Sequence, residues 1–252
     1  GTSTNGKIFT ALQTLSDWKD VNITDSTGNT PLYFWRETRT STGTETIFWV
    51  NVPSIVAGNG TQIRVYFGNS SQSTETPTYS GINTFSLFDD FDAANTSQWI
   101  ALGIPTYSAS NVKATGTGGY VGLVSLGTFG VNTSIRAYGL IENTATSADS
   151  AGIGYSSDSG RLLTNYPITG NVLNAYIANA TDSTSLGKSD LGANKTLEIN
   201  RPIITSNVTF KINGTQRAST LGVTTLSNVS LQAYVNTHYA IYDWVFVRNY
   251  VY

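Results

Sequence analysis

Val208-Thr209-Phe210-Lys211-Ile212-Asn213-Gly214 alternates apolar and polar side chains and runs into an Asn-Gly pair. Period-two alternation puts Val208, Phe210 and Ile212 on one face of a strand. Asn-Gly readily takes the positive φ that both central residues of a type I′ hairpin need. The stretch therefore predicts a half-buried strand that turns straight back on itself. Outward from it the same pattern recurs: Val229, Leu231, Ala233 and Val235 alternate with Ser230, Gln232 and Tyr234, and the run Ile241 to Val251 is bulky at both parities, as in a strand covered on both faces. Toward the N-terminus, Ile47-Phe48-Trp49-Val50-Asn51-Val52 and Gln62-Ile63-Arg64-Val65-Tyr66-Phe67 are β-branched and aromatic runs. Pro53 and Ala57-Gly58-Asn59-Gly60 separate them, and they read as neighbouring strands. Only Ile8, Ala11, Leu12 and Leu15 fall at helix spacing, enough for about two turns. The chain reads as all-β.

Composition narrows the class. The chain has 252 residues and 27.0 kDa, enough for one large β domain or two ordinary ones. A net charge of -2 with only 12% charged residues excludes a basic nucleic-acid-binding face. At 39% hydrophobic the chain folds, so its Ser, Thr, Asn and Gly richness belongs to an uncharged polar surface. With Cys 0, a disulfide framework, a thiolate metal site and a Cys nucleophile are excluded together. Met 0 with Gly1 in first place reads as a processed chain or a fragment. No stretch approaches the roughly 18 apolar residues of a membrane span, so any anchor is expected outside this sequence.

Between Asn69 and Asn83 the stretch Ser70-Ser71-Gln72-Ser73-Thr74-Glu75-Thr76-Pro77-Thr78 offers nothing apolar to bury, and the domain junction is placed there. The expected architecture is two β-sandwich domains, residues 1–78 and 79–252, the second of a size for a two-sheet sandwich or jelly roll.

Four motifs carry a family likeness. Asp20-Val21-Asn22-Ile23-Thr24-Asp25-Ser26-Thr27-Gly28, Phe34-Trp35-Arg36-Glu37, Phe48-Trp49-Val50-Asn51-Val52-Pro53-Ser54-Ile55 and Val65-Tyr66-Phe67-Gly68-Asn69 resemble, in that order, the motifs of DUF2341, a domain of unknown function. In that family a concanavalin A-like, LamG-type jelly roll commonly follows, opening on Phe-Asp-Asp-Phe and closing on an Asp-Trp-Val strand. Here Phe88-Asp89-Asp90-Phe91, with Trp99 soon after, and Asp243-Trp244-Val245-Phe246-Val247-Arg248 are similar. The resemblance implies a surface or secreted protein, often archaeal, with adhesion or sugar binding and no established reaction. Family members usually begin with strands upstream of the first motif, and only Gly1 to Lys19 precede it here. Either an upstream piece is missing from the sequence, or the first sheet is a strand short and accepts one from a neighbouring chain.

Candidate chemistry is sparse. His238 is the one histidine and no G-x-S-x-G accompanies it. Glu37, Glu45, Glu75, Glu142 and Glu198 are scattered singly, without the closely spaced pair a glycosidase needs. The expectation is that the chain is not an enzyme. Asp89, Asp90 and Asp92 form an acidic cluster, and Asp243 shares parity with Ile241, Val245 and Val247. Calcium held by Asp90, Asp92 and Asp243 would bridge first and last strands, against the plainer reading that the cluster is turn chemistry. Trp35, Trp49, Trp99 and Trp244 read as packing residues before sugar-stacking ones.

Asn-x-Ser/Thr occurs at Asn22, Asn59, Asn69, Asn95, Asn132, Asn179, Asn194, Asn207, Asn213 and Asn228, ten of 22 asparagines. That is about twice the chance rate for this Ser and Thr content, and predicts N-linked glycans on an extracellular, cell-surface protein. The function expected is a non-enzymatic structural protein: a glycosylated subunit of a pilus-like surface filament, its copies joined through Ile8, Phe9, Leu12 and Leu15 of the N-terminal segment by β-strand complementation. The alternative is a monomeric carbohydrate-binding adhesion module of a larger surface protein, with surface glycans as partners.

Overall fold

The computed structural model describes residues 2–4, 7–9, 17–38, 46–55, 60–142, 150–156, 161–164, 172–177, 182–202, 207–220, 225–234 and 238–250. The chain divides into two compact units, Gly1–Phe85 and Ser86–Tyr252. No helix is long and apolar enough to cross a membrane among the described residues.

The first unit is a set of two-stranded ladders. β1 (Thr2–Thr4) pairs with β2 (Lys7–Phe9). Ile8 and Phe9 are therefore extended rather than helical, while Ala11, Leu12 and Leu15 lie outside the described residues. β3 (Asn22–Asp25), β4 (Phe34–Thr38), β5 (Thr46–Val50) and β6 (Ile63–Tyr66) follow. The two runs expected to be neighbours are not paired. β5 pairs with β4, Trp35 opposite Trp49, and β6 with β3, Ile23 opposite Val65. Both runs look back to an earlier strand, because apolar residues at either parity leave the choice of partner to packing. Val21, Ile23, Leu32 and Phe34 form the core, with Phe48, Val65, Phe67 and Tyr79 against it.

Turn chemistry explains much of the family-like motif. Asp25 Oδ1 accepts from Thr27 N (3.1 Å), Thr27 Oγ1 (2.7 Å) and Gly28 N (3.1 Å), and Gly28 has φ 86°. Those donors hold the Asp25 carboxyl down to about 2. Residues 75–80, read as a junction, pack into this unit: Glu75 meets Arg36 at 2.9 Å, and Thr78 O and Ser80 N both bond to Phe34. Ser80 then caps α1 (Gly81–Thr84), a single turn that no periodicity announces.

The second unit holds β7 (Leu87–Asp89), β8 (Trp99–Leu102), β9 (Thr106–Tyr107), β10 (Val112–Thr115), β11 (Tyr120–Phe129), β12 (Thr133–Ile141), β13 (Ser150–Tyr155) and β14 (Arg161–Thr164). They are followed by β15 (Leu173–Ile177), β16 (Asp182–Gly187), β17 (Lys195–Arg201), β18 (Val208–Ile212), β19 (Thr215–Thr220), β20 (Ser227–Tyr234) and β21 (Tyr239–Asn249). Two antiparallel sheets result. One runs β19-β18-β17-β12-β21-β10-β9 with β7 beside β21, the other β16-β15-β14-β13-β20-β11-β8. The β18/β19 hairpin turns at Asn213 (φ 51°) and Gly214 (φ 79°), as its sequence predicts. The alternation reads directly into the core. Ile135, Ala137, Leu197, Ile199 and Phe210 from one sheet face Leu123, Ile153, Val229, Leu231 and Ala233 from the other, all within 2% of complete burial. Each large aliphatic among them contributes roughly 1.5–3 kcal/mol relative to exposure. The unit is a jelly-roll sandwich, and the chain is all-β as expected.

β21 departs from simple alternation at one residue. Tyr138 on β12 pairs with Trp244 and Gly139 with Tyr242, so Asp243 is the extra residue of a bulge. Ala240 and Tyr242 before it and Val245 and Val247 after it all face the core. Shared sequence parity with Val245 and Val247 therefore does not carry Asp243 inward. Gly139 permits the close approach, since a Cβ there would lie 2.2 Å from Ile241 O.

Candidate functional site

β7 delivers Asp89 to the edge of β21, opposite Val245, and the chain then turns sharply. Asp89 is buried and committed: Oδ2 accepts from Trp99 Nε1 (2.8 Å) and Oδ1 from Phe91 N (2.8 Å). Burial raises its carboxyl above the ordinary range against those two bonds. Phe91 takes φ 55° to bury its ring completely beside Trp99. Asp89 and Phe91 of the Phe-Asp-Asp-Phe motif are thus structural. Asp92 accepts from Ser110 Oγ, at the tip of the β9/β10 hairpin, where Ala109 and Ser110 both have positive φ.

Asp90 and Asp92 lie near enough to Asp243 for their charges to act on it. Burial raises the Asp90 carboxyl, and Asp92 adds to it; burial raises that of Asp243, with Asp90 and then Asp92 adding. Among the described residues neither Asp90 nor Asp243 has a cationic side chain within ion-pair distance, and no group of three or more His, Cys, Asp or Glu is disposed to hold a metal ion. Asp89, Asp90 and Asp92, with Ala93, Ala94, Asn95 and Thr96, line a shallow acidic hollow, and Asp243 lies near it rather than in its wall. His238 is elsewhere and buried, its Nδ1 2.7 Å from Glu142 Oε1, where it fastens the end of β12 to the start of β21.

A second feature escaped the sequence reading. On β20, Val229, Leu231 and Ala233 face the core, so Ser230, Gln232 and Tyr234 face away. Tyr120 lies opposite Tyr234, and the two rings sit 4.4 Å apart at 36°. Tyr120 is 52% exposed, and the same outer face carries Val124 and, on the edge strand β8, Leu102 and the exposed Ile100. Between them Gly122 is obligatory, since a Cβ would fall 2.0 Å from Leu231 O. Register is what pairs the two tyrosines, and no local spacing reveals it. Of the four tryptophans in the family-like motifs, Trp35, Trp99 and Trp244 are buried, and Trp49 is half-buried with its indole nitrogen on Glu37 (2.9 Å).

The sequons divide by accessibility. Asn69, Asn132, Asn194, Asn207 and Asn213 are exposed. Asn22, Asn95 and Asn228 are half-buried, and the Asn228 amide nitrogen, the atom a glycan would need, donates to Ser125 O at 2.7 Å. Asn59 and Asn179 lie outside the described residues.

Residues 17–102 match the family model described as Domain of unknown function (DUF2341). The match crosses the first unit and continues through the Asp89 turn and β8. No curated protein matches the chain in sequence. Among solved structures, the chain is similar to an endo-acting O-glycanase expressed by prominent members of the human gut microbiota to initiate mucin breakdown. That likeness has 11% identity and TM-score 0.51 and covers 66% of this chain and 100% of that one. It is similar also to a Bacillus licheniformis β-glucanase (13% identity, TM-score 0.50, 65% and 97% covered) and to the transglycosylase Crh5 in its apo form (14%, 0.50, 65% and 83%). At such identities the likeness is one of fold, a jelly roll of the concanavalin A-like kind.

One expectation is overturned here. Scattered glutamates and a lone histidine were grounds for setting catalysis aside, yet proteins of this fold include an O-glycanase and a β-glucanase, so the exclusion of an enzyme does not stand. The central strands β11, β13 and β20 contain no Asp or Glu; the second unit's carboxylates lie elsewhere.

Proposed function

We propose that this chain is a carbohydrate-binding module of a cell-surface protein, taking a glycan on the outer face of the seven-stranded sheet at Tyr120 and Tyr234. The observation that carries the reading is that ring pair: two large amphipathic side chains, one more than half exposed, on rigid neighbouring strands. A sugar's C–H face packs on such rings while their hydroxyls meet its polar rim. β-Glucans and mucin-type O-glycans are the first ligands to try, because the structural neighbours are named for them. Titration calorimetry against both, with and without Tyr120→Ala, tests it. Loss of one stacking ring weakens binding by about 2- to 10-fold. Equal affinity of variant and wild type would move the site elsewhere, and release of reducing ends from either glycan would make the chain a hydrolase instead.

A second reading keeps the chain as a glycosylated subunit of a surface assembly. Five exposed sequons and an unpaired strand edge in the first unit favour it. The N-terminal segment is the weaker route to assembly, because Thr2–Thr4 already pairs with Lys7–Phe9. Deleting residues 1–15 without loss of assembly removes that route.

A further inference from the structure

Among the described residues β6 bonds to β3 on one side and to no strand on the other. The sheet has only these two strands, and Ile63 to Tyr66 make no other main-chain hydrogen bond among the described residues. The strand is also exposed, Ile63 at 37% and Tyr66 at 45%. A bare edge of this kind is a template for another strand. Three of the second unit's four edge strands differ. β9 is two residues long, β8 is followed by Gly103-Ile104-Pro105, and β19 carries Arg217, held by Asp190 at 2.6 Å and by Leu186 O at 3.2 Å. Such short or charged edges resist pairing.

We infer that β6 is a docking edge for β6 of a second copy of this chain, the two pairing antiparallel about Val65 to join two two-stranded sheets into one of four. The edge complements itself in that register. Side chains opposite one another across a sheet share a face, so the alternatives are centring on Arg64 or on Val65. Centring on Arg64 opposes two guanidinium groups, which is unfavourable. Centring on Val65 sets Arg64 against Tyr66 of the copy and Ile63 against Phe67. Val65 and Phe67 already pack on the first unit's core, so the row Ile63, Val65, Phe67 continues an apolar face from one copy to the next. Two strands alone are marginal in water, whereas four with an apolar face are not. The contact is isologous and closes as a dimer.

Sedimentation equilibrium of the full chain tests this, with a concentration-dependent rise from 27.0 kDa toward twice that mass expected. Ile63→Lys places a charge on the edge at an exposed position and raises the dissociation constant by about tenfold or more, with an unchanged melting curve at dilutions where both proteins are monomeric. Register is read by cross-linking, which is clean because the chain has no cysteine. Arg64→Cys protein mixed with Tyr66→Cys protein forms a disulfide dimer on mild oxidation, faster than either alone. A monomer at every concentration overturns the inference, as does an Ile63→Lys variant that dimerises like wild type. Cross-linking of Arg64→Cys with itself in preference to the mixture overturns the register.

Discussion

Glu198 on β17 and Asp243 on β21 lie one strand apart, on either side of β12, and are kept in opposite ways. Glu198 is buried and surrounded by cations: Arg136 Nη1 at 2.5 Å, Arg248 Nη2 at 3.4 Å and Lys211 Nζ at 4.0 Å. Asp243 sits half-buried at a bulge with Asp90 and Asp92 for company. The first is a charge the fold can bury only because it is paired; the second is a charge left beside like charges at a place where solvent still reaches. Pairing makes Glu198 part of the scaffold, and crowding makes the acidic hollow the part whose charge state responds to its surroundings.

The sharpest way to break the comparison is Glu198→Gln. It removes the buried carboxylate charge that Arg136 and Arg248 both meet, and stability in urea should fall by about 3–5 kcal/mol. A loss below about 1 kcal/mol would mean that water reaches the network. Next comes the bulge. Gly139→Ala drives a Cβ toward Ile241 O, and should cost about 1–3 kcal/mol as β12 and β21 move apart. If the bulge is what holds Asp243 beside Asp90, the same variant shifts the acidic group's titration toward the ordinary range.

Asp243→Asn sharpens the contrast because its sign differs from that of Glu198→Gln. With no cation bound it relieves repulsion and raises stability, by less than about 1 kcal/mol after screening by solvent. With Ca²⁺ held by Asp90, Asp92 and Asp243, chelation lowers the melting temperature of the wild type, and the substitution removes that response. Identical melting with calcium and with chelator leaves the hollow as turn chemistry.

Acid titration gives the next contrast. Asp90 and Asp243 titrate above the ordinary value of 3.8, so their ionisation works against the fold at neutral pH. That penalty is relieved as pH falls through their folded values and is gone below 3.8. Asp25 titrates at about 2, so its contribution is full above 3.8 and is lost as pH falls toward 2. Mild acid should therefore favour the fold before stronger acid opposes it. Asp243→Asn flattens the first limb and Asp25→Asn the second, as followed by melting temperature against pH. The smallest expected effect is on stability from Asn228→Gln in native glycoprotein. Intact mass above 27.0 kDa, with site mapping, should show sugar at Asn69, Asn132, Asn194, Asn207 and Asn213 and no change in that pattern in the variant. Sugar at Asn228 would mean that its bond to Ser125 opens.

Where two-residue alternation meets a turn with its own chemistry, local sequence suffices. The hairpin at Asn213-Gly214, the inward row of β20 and the turn after Asp25 all follow from residues within six or seven positions of one another, since pleat and turn geometry are set by neighbours. The site was legible only in part. Asp90, Asp92 and Asp243 stand out as carboxylates in an otherwise weakly charged chain, but the bulge that aims Asp243 depends on Gly139, about a hundred residues earlier. Tyr120 and Tyr234 meet across a similar distance.

Class, alternation and turns are thus properties the sequence determines by itself, because they are summed from short-range geometry and from the energy of hiding apolar side chains. Partnership was decided by the tertiary structure: β4 with β5 and β3 with β6, Arg136 and Arg248 with Glu198, one tyrosine with another. Each of those choices compares the packing of whole faces brought together from distant parts of the chain, and several strands present faces apolar enough that only the assembled core separates the right neighbour from the wrong one.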